Sequence, residues 1–236
     1  MASPEGLFAA LVAAAPTQPF VTYYGDSSHD RAELSARSLA NWVAKTYFLL
    51  TDELGLGRGH AAYVDLPAHW ISVAPLLGCW TAGLEVVTDP TRADVGFVDS
   101  ERALTAVEIP DVFVIAPDSA AVGLTPDRLP PGMADYVAAV RPQADAWATV
   151  RPLATDADPA LDSESRAELV AAAADRARAL GLDTGARLIT GRDWQGPRDW
   201  VDLLLAPLAV RGSIVFVRHG ADLERRRVQE RATVVV

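Results

Sequence analysis

The chain has 236 residues, 50% of them hydrophobic and 22% charged, with a formal net charge of −10. That length and composition can bury a large core, as one domain or as two packed lobes, while the acidic balance excludes a general nucleic-acid binder, which needs a clustered basic surface. A single cysteine, Cys79, rules out an internal disulfide and a Cys-based zinc site, and suits a reducing cytoplasm.

In chain order, Ser3-Pro4-Glu5 opens a helix whose apolar face is Leu7, Phe8, Leu11 and Val12, and Pro16 and Pro19 end it. This apolar start lacks a basic leader and carries Glu5, so no secretory signal is expected. No later run approaches the roughly 20 apolar residues that span a bilayer, and the expectation is a soluble cytoplasmic protein. Phe20 to Tyr24 reads as a strand, Gly25 to Asp30 as a turn and Arg31 to Leu34 as the return strand. Ser35 caps a long helix that Gly55 stops after Leu54. Next come a strand at 61–65, a helix at about 69–82, strands at 84–88 and 94–98, a brief helix near Ser100 to Ala106, and a strand at 111–116. Pro117 to Pro131 is rich in turn formers, Met133 to Val140 reads as a helix, and Asp156 to Asp162 as an acidic connector. Ser163 or Ser165 caps a second long helix. A strand at Arg187 to Ile189, a helix ending at Gly212 and a strand at Ile214 to Val217 follow. Asp222 to Arg231 reads as a polar helix and Thr233 to Val236 as a strand completing a sheet edge. This alternation predicts an α/β fold with parallel sheets and helices on their faces.

Leu54-Gly55-Leu56-Gly57-Arg58-Gly59 recurs as Leu180-Gly181-Leu182-Asp183-Thr184-Gly185, and each copy sits between a long helical pattern and a short apolar run. A loop ending at His69-Trp70 or at Asp193-Trp194 follows, then a helix that stops at Gly83 or Gly212 before another strand. Two related βαβ units, about 35–88 and 163–217, within a single domain covering the chain account for this economically. Ligands of open parallel sheets collect at the carboxyl ends of the strands. The candidate cleft is therefore Asp65, His69 and Trp70 in the first copy, with Arg192, Asp193 and Trp194 in the second. The two tryptophans read first as filling an interface between lobes, and as ligand contacts second.

Other chemical motifs have a structural reading. His29, His60, His69 and His219 show no i, i+4 pairing, so no metal site is expected. Val215-Phe216-Val217-Arg218-His219-Gly220 resembles the R-H-G turn of histidine phosphatases, but those enzymes carry it near the start, and here it reads as a strand end. Gly25-Asp26-Ser27 with His29 reads as a hairpin turn in preference to a hydrolase block. Arg225-Arg226-Arg227, between Glu224 and Glu230, reads as a solvated helix face. No G-x-G-x-x-G supports dinucleotide binding, and no catalytic residue is assigned.

Phe20-Val21-Thr22-Tyr23-Tyr24, Glu33-Leu34-Ser35, Asn41-Trp42-Val43-Ala44 and Gly55-Leu56-Gly57-Arg58-Gly59 together resemble the opening of adenylate-forming enzymes. That superfamily comprises acyl-CoA synthetases, peptide-synthetase adenylation domains and luciferases. Leu66-Pro67-Ala68-His69-Trp70 is similar to its "P-N-(S/H)" loop, and Leu77 to Val87 followed by Asp89-Pro90 to its "A-x-x-A-G-x-V-x-x-x-x-P" helix and strand. The resemblance implies a truncated, acetyl-CoA-synthetase-like N-terminal fold with an internal pseudo-repeat.

It also implies a Ser/Thr/Gly-rich phosphate loop closed by lysine just before the second long helix. That place holds Asp158-Pro159-Ala160-Leu161-Asp162-Ser163-Glu164-Ser165-Arg166, without glycine or lysine, and Lys45 in the first long helix is the only lysine of the chain. The family's later motifs and its small C-terminal domain have no counterpart in the sequence. The resulting expectation is a catalytically inactive or incomplete homologue that needs no cofactor and acts by binding or assembly, as a homodimer or with a partner protein. The alternative is a component of an acyl or aryl adenylation system that keeps a cleft for ATP or AMP with Mg.

Overall fold

Ser3 accepts the Gly6 N–H at 3.1 Å and Pro4 occupies the first turn, so the first helix, α1, runs over Pro4–Ala14. The computed structural model describes residues 2–26, 30–103, 108–117, 123–125, 128–220 and 222–236. Ser27 and His29 of the expected turn, the end of the brief helix expected near Ser100 to Ala106, and part of Pro117 to Pro131 lie outside them. The chain continues through β1 (Pro19–Tyr24), β2 (Arg31–Ser35) and α2 (Ala36–Phe48), which a π-helical turn over Leu49–Glu53 extends. Then come β3 (Ala61–Asp65), α3 (Val73–Ala82), β4 (Glu85–Val87), β5 (Val95–Asp99), β6 (Asp111–Ile115), β7 (Ala134–Asp135) and α4 (Tyr136–Val140). After them lie β8 (Pro159–Leu161), β9 (Glu164–Ser165), α5 (Arg166–Ala179) and β10 (Arg187–Thr190). Next is one helical run: α6 (Pro197–Trp200), a π-helical turn over Val201–Leu205, and α7 (Ala206–Ala209). The last elements are β11 (Ser213–Val217), α8 (Leu223–Gln229) and β12 (Val234–Val235).

Three expectations need correction. The helix expected from 69 starts at Val73, because an i→i+3 bond from the Ala74 N–H to the Ile71 carbonyl tightens a turn ahead of it. The helix expected over Met133 to Val140 is a strand and then a helix: Ala134 pairs with Phe113, and Asp135 caps α4 by accepting the Ala138 N–H at 2.7 Å. The acidic connector contains β8, which pairs in parallel with β4, and the short hairpin to β9.

The chain divides into two compact units. The first comprises residues 1–39, 68–70 and 166–236 and is built on a five-stranded sheet of order β12-β10-β11-β1-β2, parallel except for β2. Phe8 and Leu11 of α1, Leu169 and Ala173 of α5, and Leu208 of α7 are buried in it. Glu5 and Arg166, at the starts of α1 and α5, form a fully buried ion pair at 3.6 Å. Elsewhere in the unit Tyr24, Ile189, Val215, Val217 and Ala232 form a small core. The Tyr24 hydroxyl donates to Glu230, which also accepts Arg187 Nη2 at 2.6 Å and Arg31 Nε at 3.1 Å. This network ties the residue after α8 to β1, β2 and β10. β12 lies at the sheet edge beside β10, the place expected for it.

The second unit, residues 40–67 and 71–165, is built on a seven-stranded sheet of order β7-β6-β5-β3-β4-β8-β9, parallel except for β9. All ten residues of α3 are buried, as a helix that is apolar all round requires. Thr46 and Tyr136 share a buried hydrogen bond of 2.7 Å. Lys45 Nζ donates to the Arg141 and Gln143 carbonyls at 3.0 and 2.6 Å, closing the end of α4.

Two glycines separate steric from conformational need. A Cβ on Gly212 would lie 2.3 Å from the Ala186 carbonyl oxygen, backbone that also accepts the Ser213 N–H. A Cβ on Gly55, at φ +69°, would meet nothing within 4 Å. In urea unfolding, Gly212→Ala is expected to lose about 3 kcal/mol and Gly55→Ala only about 1 kcal/mol. Equal losses would contradict this packing.

Candidate functional site

Parallel strands deliver their loops to one end of a sheet, and five of the six residues expected from the sequence fall in loops of the first unit: His69, Trp70, Arg192, Asp193 and Trp194. His69 is only 4% exposed, with its ring 4.1 Å from that of Tyr23 and 5.6 Å from that of Trp70. Trp194, 2% exposed, stands edge-on to Phe216 at 5.7 Å, and Phe216 pairs in register with Tyr23 on β1. Trp194 thus packs against a strand residue of its own unit. Asp193 Oδ1 fastens the loop by accepting the Ala68 N–H at 2.6 Å and the Trp194 N–H at 2.8 Å, while Thr190 Oγ1 accepts the Arg192 N–H at 3.0 Å.

The loop after β10 borders an open surface pocket of about 510 Å³ lined by residues 192, 193 and 195–199, of which Arg192, Asp193, Gln195 and Arg198 are exposed. Within it Arg192 donates to Asp199, whose other oxygen accepts the Gln195 N–H at 2.8 Å. Asp199 is 5% exposed and was not anticipated from the sequence; its only sequence signal is its place two residues after a proline that opens a helix.

Asp65 lies in the second unit, at the carboxyl end of β3. β3 connects to β4 on one side, and β5, its neighbour on the other side, connects to β6, so the β3/β5 junction is a topological switch point. There Asp65 accepts Arg102 Nη1 at 2.7 Å and the Tyr63 hydroxyl at 3.4 Å. Asp99, at the end of β5, accepts the Glu101 N–H at 2.8 Å, and burial pushes its carboxyl above the usual range, with the Asp65 charge adding to the effect. Asp99 and Arg102 were missed because their meeting with Asp65 depends on sheet order.

The segment just before α5 is a closed turn. Asp162 and Ser163, both at positive φ (+43° and +75°), form the two-residue link between β8 and β9, the left-handed pair that tight hairpins require. Asp162 accepts the Thr88 N–H at 2.9 Å and the Thr88 hydroxyl at 2.8 Å, and its own N–H donates to the Val86 carbonyl. The Ser163 N–H donates to Glu85 at 2.6 Å. Asp158 accepts Arg58 Nη2 at 2.7 Å and the Thr155 N–H at 2.6 Å. Among the described residues no group of three or more His, Cys, Asp or Glu is placed to hold a metal ion, and no helix is long and apolar enough to cross a membrane.

The chain is 36% identical over 233 residues to a TIGR03089 family protein of Mycobacterium tuberculosis, an alignment covering 96% of this chain and 94% of that protein. The chain belongs to the TIGR03089 family. No protein-family model matches it. Among solved structures this TIGR03089 family member is similar to an acyl-CoA synthetase of Brucella canis, with a TM-score of 0.78 and 17% identity over 99% of the chain. It is also similar to the anthranilate CoA ligase AuaEII in complex with anthranoyl-AMP (TM-score 0.71, 16% identity, 90% of the chain). A third is the fatty acyl-adenylate ligase of L. pneumophila in complex with acyl adenylate and pyrophosphate (TM-score 0.71, 12% identity, 99% of the chain). The chain spans less than half the length of each, at 46%, 44% and 44%. At these identities the likeness establishes the fold: that of adenylate-forming enzymes, α/β with two largely parallel sheets and flanking helices.

The hairpin makes a pH prediction. The Arg58 guanidinium, with the Thr155 N–H, lowers the Asp158 carboxyl to about 2. A carboxyl depressed on folding adds stability above its unfolded value of 3.8, and that contribution is lost as pH falls through the folded value. Asp158→Asn is therefore expected to unfold more easily than the wild type at neutral pH. The difference should shrink between about pH 4 and pH 2. Denaturant melts at both ends of that range check it, and a difference independent of pH would contradict it.

Proposed function

We propose that this chain uses the adenylate-forming scaffold as a binding module and does not itself activate a carboxylate. The observation that carries this reading is the β8–β9 hairpin. Holding and polarising a triphosphate takes several backbone N–H groups and a cation aimed at its oxygens. At the place where the resembled enzymes carry that loop, the Ser163 and Asp162 N–H groups are already engaged by Glu85 and Val86. Asp158, Asp162 and Glu85 surround them, and the nearby cations, Arg58 and Arg92, are taken up in pairing those carboxylates, so the residues present do not fit a triphosphate. Lys45, the one lysine, is held by two carbonyls at the end of α4.

The strand orders support reading the two units as copies of one ancestral unit. In each sheet a parallel trio, β3-β4-β5 or β10-β11-β12, keeps its first strand in the middle and pairs its second with a hairpin, β8–β9 or β1–β2. Each hairpin leads into the long helix that precedes the other trio. A cytoplasmic setting is in keeping with a lone buried thiol, Cys79, that burial holds well above the usual thiol range. Assembly, as a homodimer or with a partner protein, belongs to the same reading.

The second reading, a component of an acyl or aryl adenylation system using ATP or AMP with Mg, draws on two of the similar structures, which carry anthranoyl-AMP and acyl adenylate. Calorimetric titration of the chain with Mg-ATP, alongside a pyrophosphate-exchange assay over aliphatic and aromatic acids, separates the two. The expected result is no saturable binding at millimolar ATP and no exchange. Exchange catalysed by the chain alone would overturn the proposal.

A further inference from the structure

We propose that the pocket bordered by the loop between β10 and α6 binds a small organic anion, and that the guanidinium of Arg198 takes its carboxylate or phosphate group. The proposal rests on the binding role above and gives it a ligand class. The pocket, about 510 Å³, falls within the range of about 300–1,000 Å³ usual for small-molecule sites. Its lining carries two arginines and two aspartates, which balance formally but not in their partners. Asp199 is engaged by Arg192 through one oxygen and by the Gln195 N–H through the other. Asp193 accepts the Ala68 and Trp194 N–H groups through one oxygen. The guanidinium of Arg198 has no ion-pair or hydrogen-bond partner among the described residues, which leaves it the one lining cation free to meet a ligand.

The surroundings of Arg198 are pre-arranged. Pro197 fixes the backbone just before it, and Thr190 and Asp193 hold the start of the loop through backbone N–H groups. Trp194, packed on Phe216, anchors the middle of the loop in the core. A planar guanidinium pairs with a carboxylate or phosphate through two parallel hydrogen bonds, and Arg198 is exposed where an incoming anion can reach it. A loop that is already ordered gives up little freedom when a ligand arrives.

The test is calorimetric titration of the full chain with benzoate and, separately, with inorganic phosphate. Saturable binding of at least one is expected; benzoate alone identifies a carboxylate ligand, phosphate alone a phosphate-bearing one, and both a general oxyanion site. Arg198→Gln should weaken that binding by about 10-fold or more, whereas Arg225→Gln, on α8, should leave it unchanged. Arg198→Lys should keep more affinity for phosphate than for benzoate, since an ammonium offers a point charge without the planar fork. Thermal melts of each variant establish that it folds. No saturable binding of either probe at millimolar concentrations, or wild-type affinity in folded Arg198→Gln, overturns the proposal. Pyrophosphate exchange by the chain would instead refute the inactive-scaffold reading and leave the Arg198 dependence standing, so the two failures are distinguishable.

Discussion

Carboxylates accepting backbone N–H groups hold the β8–β9 hairpin shut, and the functional reading of this protein depends on that constraint. A turn with two non-glycine residues at positive φ costs about 1–2 kcal/mol per residue, and it persists because its neighbours over-determine it. Asp162 spans the N–H and hydroxyl of Thr88, Glu85 takes the Ser163 N–H, and Asp158 is clamped between Arg58 and Thr155. Trp80 adds an indole N–H to the Ala160 carbonyl at 2.9 Å. The N–H groups of Asp162 and Ser163 are thus already engaged by acceptors of the same unit.

Arginine does much of the corresponding work in the first unit. Arg176 meets Asp202 through two parallel bonds of 2.7 and 2.9 Å, joining α5 to the helical run after β10. Arg187 reaches Thr22, Ser213 and Glu230 from one guanidinium. A planar fork with fixed donors suits such multi-partner tasks better than an ammonium does, which accords with a chain that carries one lysine and many arginines. Arg226 lies over the Tyr24 ring at 4.0 Å and Arg227 pairs with Glu224, so the basic run of α8 is only partly the solvated face expected of it. Outside this pattern, the guanidinium of Arg198, like those of the exposed Arg37, Arg128, Arg211 and Arg231, has no ion-pair or hydrogen-bond partner among the described residues.

Elements whose signals are local were legible. Ser3 with Pro4, the stop at Gly55 and the left-handed end at Gly83 mark helix boundaries within a few residues of chain, and the apolar runs of β1, β3, β6 and β11 mark strands. β8 was not legible, because Asp-Ser is a weak hairpin signal beside Asn-Gly and because a three-residue strand owes its existence to pairing with β4, far away in the chain. β7 escaped for the same reason: its two residues read as the start of α4 until Phe113 is placed beside Ala134. Of the candidate site, the sequence divided His69 and Trp70 from Arg192, Asp193 and Trp194 between two copies of the repeat, whereas all five fall in the first unit; nor was the exposure of each readable, for Trp194 and His69 turn inward while Asp199 and Arg198 line the pocket.

By itself the sequence determined the α/β class, most element boundaries, the absence of a lysine ahead of the second long helix and the likeness to adenylate-forming enzymes. Each follows from residue type, period or spacing within short stretches. Only the tertiary structure decided which sheet each hairpin joins, that Asp65 meets Arg102 in one unit while Asp193 and Trp194 are held in the other, and that Arg192 rather than Arg198 pairs with Asp199. The first two outcomes depend on hydrogen bonds and ion pairs between residues distant in the chain and the last on the course of one loop, and no local pattern encodes the geometry that brings them together.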